Sequence, residues 1–211
     1  MVNSMKIVTF DGHPGAGKST QARCLAEHYS ELNIKEFGGL FQKIKYTTNQ
    51  IFDLAGFDYS VVNGVPELLR FGMLYRMMLS YENEHECDLL MIDGYFLKSF
   101  WVHTNSLYLD DKVRLFRDML TVESGIEPVA SFFINVPINE CNTRTFYRGR
   151  DPNDETMSIN LDRAVISDGD RRITEQWVAL SEQIPYLHII DGAQSIDAVS
   201  KEIISIVDQT L

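Results

Sequence analysis

Residues 6–20 read KIVTFDGHPGAGKST, an apolar run that breaks into a glycine-rich knot and then into lysine, serine and threonine. The run 6–12 predicts a buried strand. From Gly17, the stretch GKSTQARCLAEHYS places Ala22, Leu25, Ala26 and Tyr29 on one helical face. The chain must therefore pass from strand to helix within a few residues, bringing the strand's carboxyl end against the helix's amino end. Gly12, Gly17, Lys18 and Ser19 satisfy the spacing G-x-x-x-x-G-K-[ST]. Glycines at these places let successive amides turn inward around an oxyanion, and the helix adds its positive N-terminus. The spacing thus predicts a phosphate cradle formed by Gly12, His13, Pro14, Gly15, Ala16, Gly17, Lys18, Ser19 and Thr20. A glycine turn before an ordinary helix is the plainer alternative, and the strand before it and helix after it weigh against that.

The rest of the chain repeats the alternation. Further strands are predicted at 33–39, 87–94, 131–137 and 186–192, with helices at 40–52, 66–83, 110–124 and 195–207. Strands that are nearly continuous apolar runs, separated by helices, indicate a parallel sheet covered on both faces. The expected class is α/β: a five-stranded parallel sheet flanked by helices, one P-loop domain over 1–211 with a small lid. Ligands of such sheets bind outside the carboxyl ends of the strands. Both Asp11-Gly12 and Asp93-Gly94 fall at such ends.

Magnesium bound with a nucleotide is held by the loop hydroxyl and by a carboxylate from a neighbouring strand. Ser19 and Asp93 are the expected pair, since LLMIDG delivers Asp93 after an apolar strand. Lys18 is expected to reach the β- and γ-phosphates of ATP. Arg144 and Arg148 lie four apart, hence on one helical face, and Arg150 follows in YRGRD. Guanidiniums converging there would stabilise the charge of phosphoryl transfer. The region 144–158 is accordingly expected to form an arginine-rich lid that excludes water on closing. A solvated face pairing with Glu140 or Asp151 is the bland alternative.

Composition narrows the partners. The formal net charge of −11 argues against a general nucleic-acid binder. No apolar run is long enough for a membrane span, and the N-terminal residues lack the apolar core of a secretory signal. Cysteines 24, 87 and 141 are scattered and odd in number, which argues for a reducing compartment and against a disulfide frame or zinc site. A cytoplasmic protein acting on small-molecule nucleotides is expected, with a homodimer left open.

Taken together, these segments resemble the nucleoside monophosphate kinases, and the thymidylate kinases most closely. GHPGAGKSTQ is similar to that family's phosphate loop, and KEFGG looks like its R-E-P-G-G turn, with Lys35 in place of arginine. ELLRF followed by Tyr75-Arg76 resembles the helix whose phenylalanine stacks on the acceptor base. IIDGAQSIDAV is close to the C-terminal strand and helix. The resemblance implies transfer from ATP with Mg2+ to dTMP, with Lys35, Phe71, Arg76 and Tyr95 on the acceptor side. Two departures stand out: Pro14 occupies the place of an acid that reads the acceptor sugar, and Gly94 replaces an arginine. Both fall on the acceptor side. Adenylate and uridylate kinases share the GHPGAGKST and LLMIDGY patterns. A different acceptor therefore stays open, as does a nucleotide-binding protein without catalysis. A GTPase is disfavoured, because no N-K-x-D-like base reader follows FFINVP.

Overall fold

The computed structural model describes residues 5–36, 87–93, 128–147 and 168–211. Five strands form one sheet: β1 (Lys6–Gly12), β2 (Ile34–Glu36), β3 (Leu89–Asp93), β4 (Ala130–Asn135) and β5 (Leu187–Asp191). Their order is β2-β3-β1-β4-β5, and every pairing is parallel. Four described helices accompany it: α1 (Lys18–His28), α2 (Ile138–Tyr147), α3 (Asp168–Ser181) and α4 (Ile196–Val207). Among the described residues, no helix is long and apolar enough to cross a membrane.

A parallel sheet buries both faces, so its strands can be apolar at consecutive positions. Leu89, Leu90, Met91 and Ile92 of β3 are all buried. One face supplies Val8, Phe10, Met91 and Phe132 to a core shared with Ala22 and Leu25 of α1 and Val199 and Ile203 of α4. On β4 the next residue, Phe133, stacks on Trp177 of α3, with ring centroids 4.7 Å apart and planes 18° apart. The alternation of side chains along a strand thus divides neighbouring phenylalanines between two helical layers. Thr9 and Ser131, partners in the β1–β4 register, satisfy one another through a 2.5 Å hydroxyl–hydroxyl hydrogen bond. That pairing removes the cost of two buried polar groups.

The helix ends follow from local chemistry. The side chain of Ser195 accepts a hydrogen bond from the Ala198 amide at 3.3 Å, capping α4. Asn135 ends β4 two residues before Pro137, which has no N–H to give a ladder. The Pro137 carbonyl instead accepts from the Cys141 amide at 3.0 Å, starting α2. The Tyr29 hydroxyl donates to the Asp208 carboxylate, tying α1 to the end of α4. Burial, and then this carboxylate, hold the Tyr29 phenol above its usual range. All three cysteines are free thiols.

The expected strands at 6–12, 33–39, 87–94, 131–137 and 186–192 correspond to the five observed, with ends shifted by up to two residues where they are described; residues 37–39 and 94 lie outside the described residues. The expected helices at 40–52, 66–83 and 110–124, and the stretch 148–158 of the lid, lie outside the described residues. Because all strands run the same way, Gly12, Glu36, Asp93, Asn135 and Asp191 end on one edge of the sheet. The central strand there is β1.

Candidate active site

The loop 12–17 leaves the central strand and enters α1. Its curl depends on glycine at two places for different reasons. At Gly15, a Cβ would lie 2.4 Å from the Cys141 carbonyl oxygen, so the loop presses directly on α2. At Gly17 nothing crowds the space, but φ is +97°, a conformation that L side chains rarely adopt. Gly17 is also the residue from which α1 starts, so the left-handed turn sets the helix axis.

Hydrogen bonds fix the loop from within. The Asp11 carboxylate accepts from the Gly12 amide at 3.0 Å, and the His13 carbonyl accepts from the Ala16 amide at 3.1 Å. Lys18 folds back over the loop, its ammonium donating to the carbonyls of Gly12 and His13, each at 3.1 Å. The positive charge is thereby held over the curl, beside the N-terminus of α1. Such an arrangement suits an oxyanion. Thr20 enters the first turn, its amide donating to the Gly17 carbonyl at 3.0 Å. Pro14 is exposed, and Ala16 is buried beneath the loop.

Asp93 stands at the end of β3, in register with Phe10 of β1. There the Ser19 hydroxyl donates to its carboxylate. A hydroxyl and a carboxylate, both hard oxygen ligands, therefore meet beside the loop. This matches the donor chemistry that Mg2+ takes when phosphates and water complete its shell. Among the described residues, no cluster of three or more His, Cys, Asp or Glu could hold a metal ion by itself.

A cleft of about 330 Å³ opens beside the loop, lined by Gly15, Gly17, Thr20, Gln21, Arg144 and Gln194 among others. Arg144 lies on α2 and donates to Glu140 at 2.5 Å and to the Gly192 carbonyl at 3.3 Å. Both the bland and the functional expectations for Arg144 therefore have a geometric counterpart, an i,i+4 ion pair and a place on the cleft wall. The pair is more than a third exposed on each side and contributes little to stability.

Sequence reasoning brought Lys18, Ser19, Asp93 and Arg144 to one edge, and the structure brings them there. Lys35 is exposed on the edge strand β2, opposite Leu90 of β3, and is not among the cleft residues. Phe71, Arg76, Tyr95, Arg148 and Arg150 lie outside the described residues. Several cleft residues were not anticipated, among them Gln21, Gly192 and Gln194. Gln21 is buried, and its amide nitrogen donates to the Ile196 carbonyl at 3.3 Å, which ties α1 to the start of α4. The signal that could have found this wall is the third Asp-Gly at a strand end, Asp191-Gly192. Glu36, also exposed, ends β2 in register with Met91, two residues before Asp93, and like Lys35 is not among the cleft residues.

No protein-family model matches this sequence, and none of the curated proteins does. Solved structures do. A structure of deoxyadenosine kinase from M. mycoides with bound dATP is similar over 96% of this chain and 99% of its own, at 14% identity and a TM-score of 0.53. A second, of the M. mycoides enzyme with products dCMP and a flexible dCDP bound, covers the same shares at 12% identity and a TM-score of 0.56. At such identity the likeness is one of architecture: this chain has the P-loop NTPase fold, a parallel five-stranded sheet with helices, in common with those kinases.

Proposed function

We propose that this chain is an ATP-dependent kinase that transfers the γ-phosphoryl group to a nucleoside monophosphate, dTMP first among them. The observation that carries the phosphoryl-transfer reading is the meeting of the Ser19 hydroxyl with the Asp93 carboxylate beside the Lys18 loop. In this reading, the loop amides and Lys18 bind the β- and γ-phosphates and orient the terminal one toward the acceptor. Ser19 and Asp93 would hold Mg2+, which supplies charge neutralisation on the phosphates when bound. Arg144, Arg148 and Arg150 would balance the negative charge that spreads over the phosphoryl oxygens during transfer. Thr20 and Gln21 would form the floor of the donor cleft. The dTMP acceptor rests on the thymidylate-kinase resemblance of KEFGG and ELLRF.

A second reading, a deoxynucleoside as acceptor, is favoured by Glu36. A nucleoside hydroxyl must lose its proton as it attacks, and a carboxylate at the strand edge can take it. A phosphate acceptor is already ionised and needs no such base. The named function of the similar M. mycoides structures points the same way.

The test is ADP formation from ATP and Mg2+ with dTMP, dUMP, UMP, CMP, AMP and deoxyadenosine side by side. Turnover with dTMP well above the others is expected. Turnover with deoxyadenosine alone would replace the first reading with the second. If no acceptor in the panel is phosphorylated, both readings fail.

A further inference from the structure

The residue after His13 is proline, which has no N–H. In a loop whose use is to aim amide donors at an oxyanion, the His13–Pro14 peptide has only its carbonyl oxygen to offer. If that oxygen swung toward the phosphates, it would set a partial negative charge against a negative group. In the structure it is occupied by two donors, accepting from the Ala16 amide and from the Lys18 ammonium, both at 3.1 Å. Of these two donors Lys18 is the poorer anchor, because a bound phosphate competes for its ammonium, which leaves the Ala16 amide as the backbone hold on this peptide plane.

The His13 side chain is the other hold. It is 4% exposed, unusual for an imidazole in a surface loop. Its ring meets Phe133 of β4 edge-on, with centroids 6.3 Å apart. Its Nε2 shares a hydrogen bond with the Thr174 hydroxyl of α3 at 3.5 Å. Trp177, on the same helix as Thr174, stacks on Phe133 in turn. The row His13–Phe133–Trp177, closed by Thr174, fastens the side chain that follows Gly12 to a helix distant in sequence. Fixing the imidazole restricts the backbone torsions of its own residue and so the direction of its carbonyl.

We infer that His13 is a positioning residue for the nucleotide loop: anchored by Thr174 and Phe133, it keeps the carbonyl of the donor-less His13–Pro14 peptide on the Ala16 amide and the Lys18 ammonium, so that it does not oppose a bound phosphate. This rests on the reading of the loop as an ATP site. It makes α3 part of the support of that site.

The experiment is calorimetric MgATP binding by the full-length protein and its Thr174→Val, His13→Leu and His13→Gln variants, with thermal unfolding measured in parallel. Thr174→Val is nearly isosteric and should weaken MgATP binding about three- to tenfold, the worth of one hydrogen bond. His13→Leu should weaken it at least as much. Adding Thr174→Val to His13→Leu should cost little more, because both remove one interaction. His13→Gln, whose amide nitrogen can reach where Nε2 lies, should recover most of the affinity. These losses should appear with the unfolding temperature little changed, which a merely structural role would not produce. Thr174→Val binding as tightly as wild type, or additive losses in the double variant, would overturn the inference while leaving the ATP site standing. Failure of the wild-type protein to bind MgATP would overturn the ATP-site reading itself.

Discussion

The Ser19 hydroxyl donates to the Asp93 carboxylate, joining the first turn of α1 to the end of β3. These residues are far apart in sequence and come together only because β3 lies directly beside β1. If the pair serves magnesium, Asp93→Asn should raise the Mg2+ concentration needed for half-maximal turnover by about ten- to a hundredfold. Ser19→Ala should act in the same direction. A magnesium titration of ADP formation checks this, and unchanged curves would remove both residues from the metal assignment.

Lys18→Ala should leave the fold intact and lower phosphoryl transfer by a factor of about a hundred or more, since the barrier is mostly electrostatic. Circular dichroism with steady-state rates is the measurement. Activity within a few-fold of wild type would dismiss the loop as the donor site.

The arginines should separate by role. Arg144 is tied to Glu140 and to the Gly192 carbonyl, so it is partly engaged in holding the cleft wall. Arg144→Met should therefore weaken ATP binding as well as turnover. Neutralising Arg148 or Arg150 should lower kcat much more than it weakens ATP binding, the pattern of contacts made chiefly in the transition state. Equal losses in binding with kcat unchanged would give them a positioning role only.

The acceptor side is tested by two substitutions that point in different directions. Phe71→Ala should raise the acceptor KM at least several-fold, because stacking on a base is worth roughly 1–3 kcal/mol. ATP affinity should hardly move. Glu36→Gln should cost about a hundredfold in kcat if the acceptor is a nucleoside hydroxyl and little if it is a phosphate. With Pro14 unable to accept from a sugar hydroxyl, discrimination at the acceptor's 3′ position should be loose.

Acid stability should depend on His188. Burial lowers its pKa below the ordinary imidazole value, and its ring lies 5.7 Å from that of Phe132. As pH falls, the unfolded chain takes up this proton before the folded one does. The contribution to stability is therefore complete above about pH 6.5 and is lost below it, through the lowered folded pKa. Melting temperatures between pH 8 and pH 5 should fall less steeply for His188→Gln than for wild type. Parallel slopes would show that other groups govern the acid limb.

The strands were legible because a parallel sheet leaves unbroken apolar runs, as in Leu89–Ile92, which no alternating pattern can mimic. The nucleotide loop was legible because its glycines, lysine and serine are adjacent in sequence. The cleft's far wall was not. Gly192 presents only a backbone carbonyl to Arg144, and backbone groups leave no trace in residue identity. Gln21 reads in sequence as one more polar position on a helix, yet the fold of α4 over α1 buries it. The ion pair of Arg144 with Glu140 could be read from their i,i+4 spacing.

The sheet order carries a consequence for how the molecule is made. β1 is synthesised first yet sits in the centre, where Lys6 pairs beside Leu89 and Val8 beside Ala130. Until the ribosome has delivered β3, the strand that bears the nucleotide loop has no edge to join; its second flank waits for β4. Such non-local pairings slow folding and leave apolar chain exposed to other molecules in the meantime. The nascent chain therefore carries Ile7, Val8 and Phe10, all buried in the finished sheet, without their strand partners through much of translation.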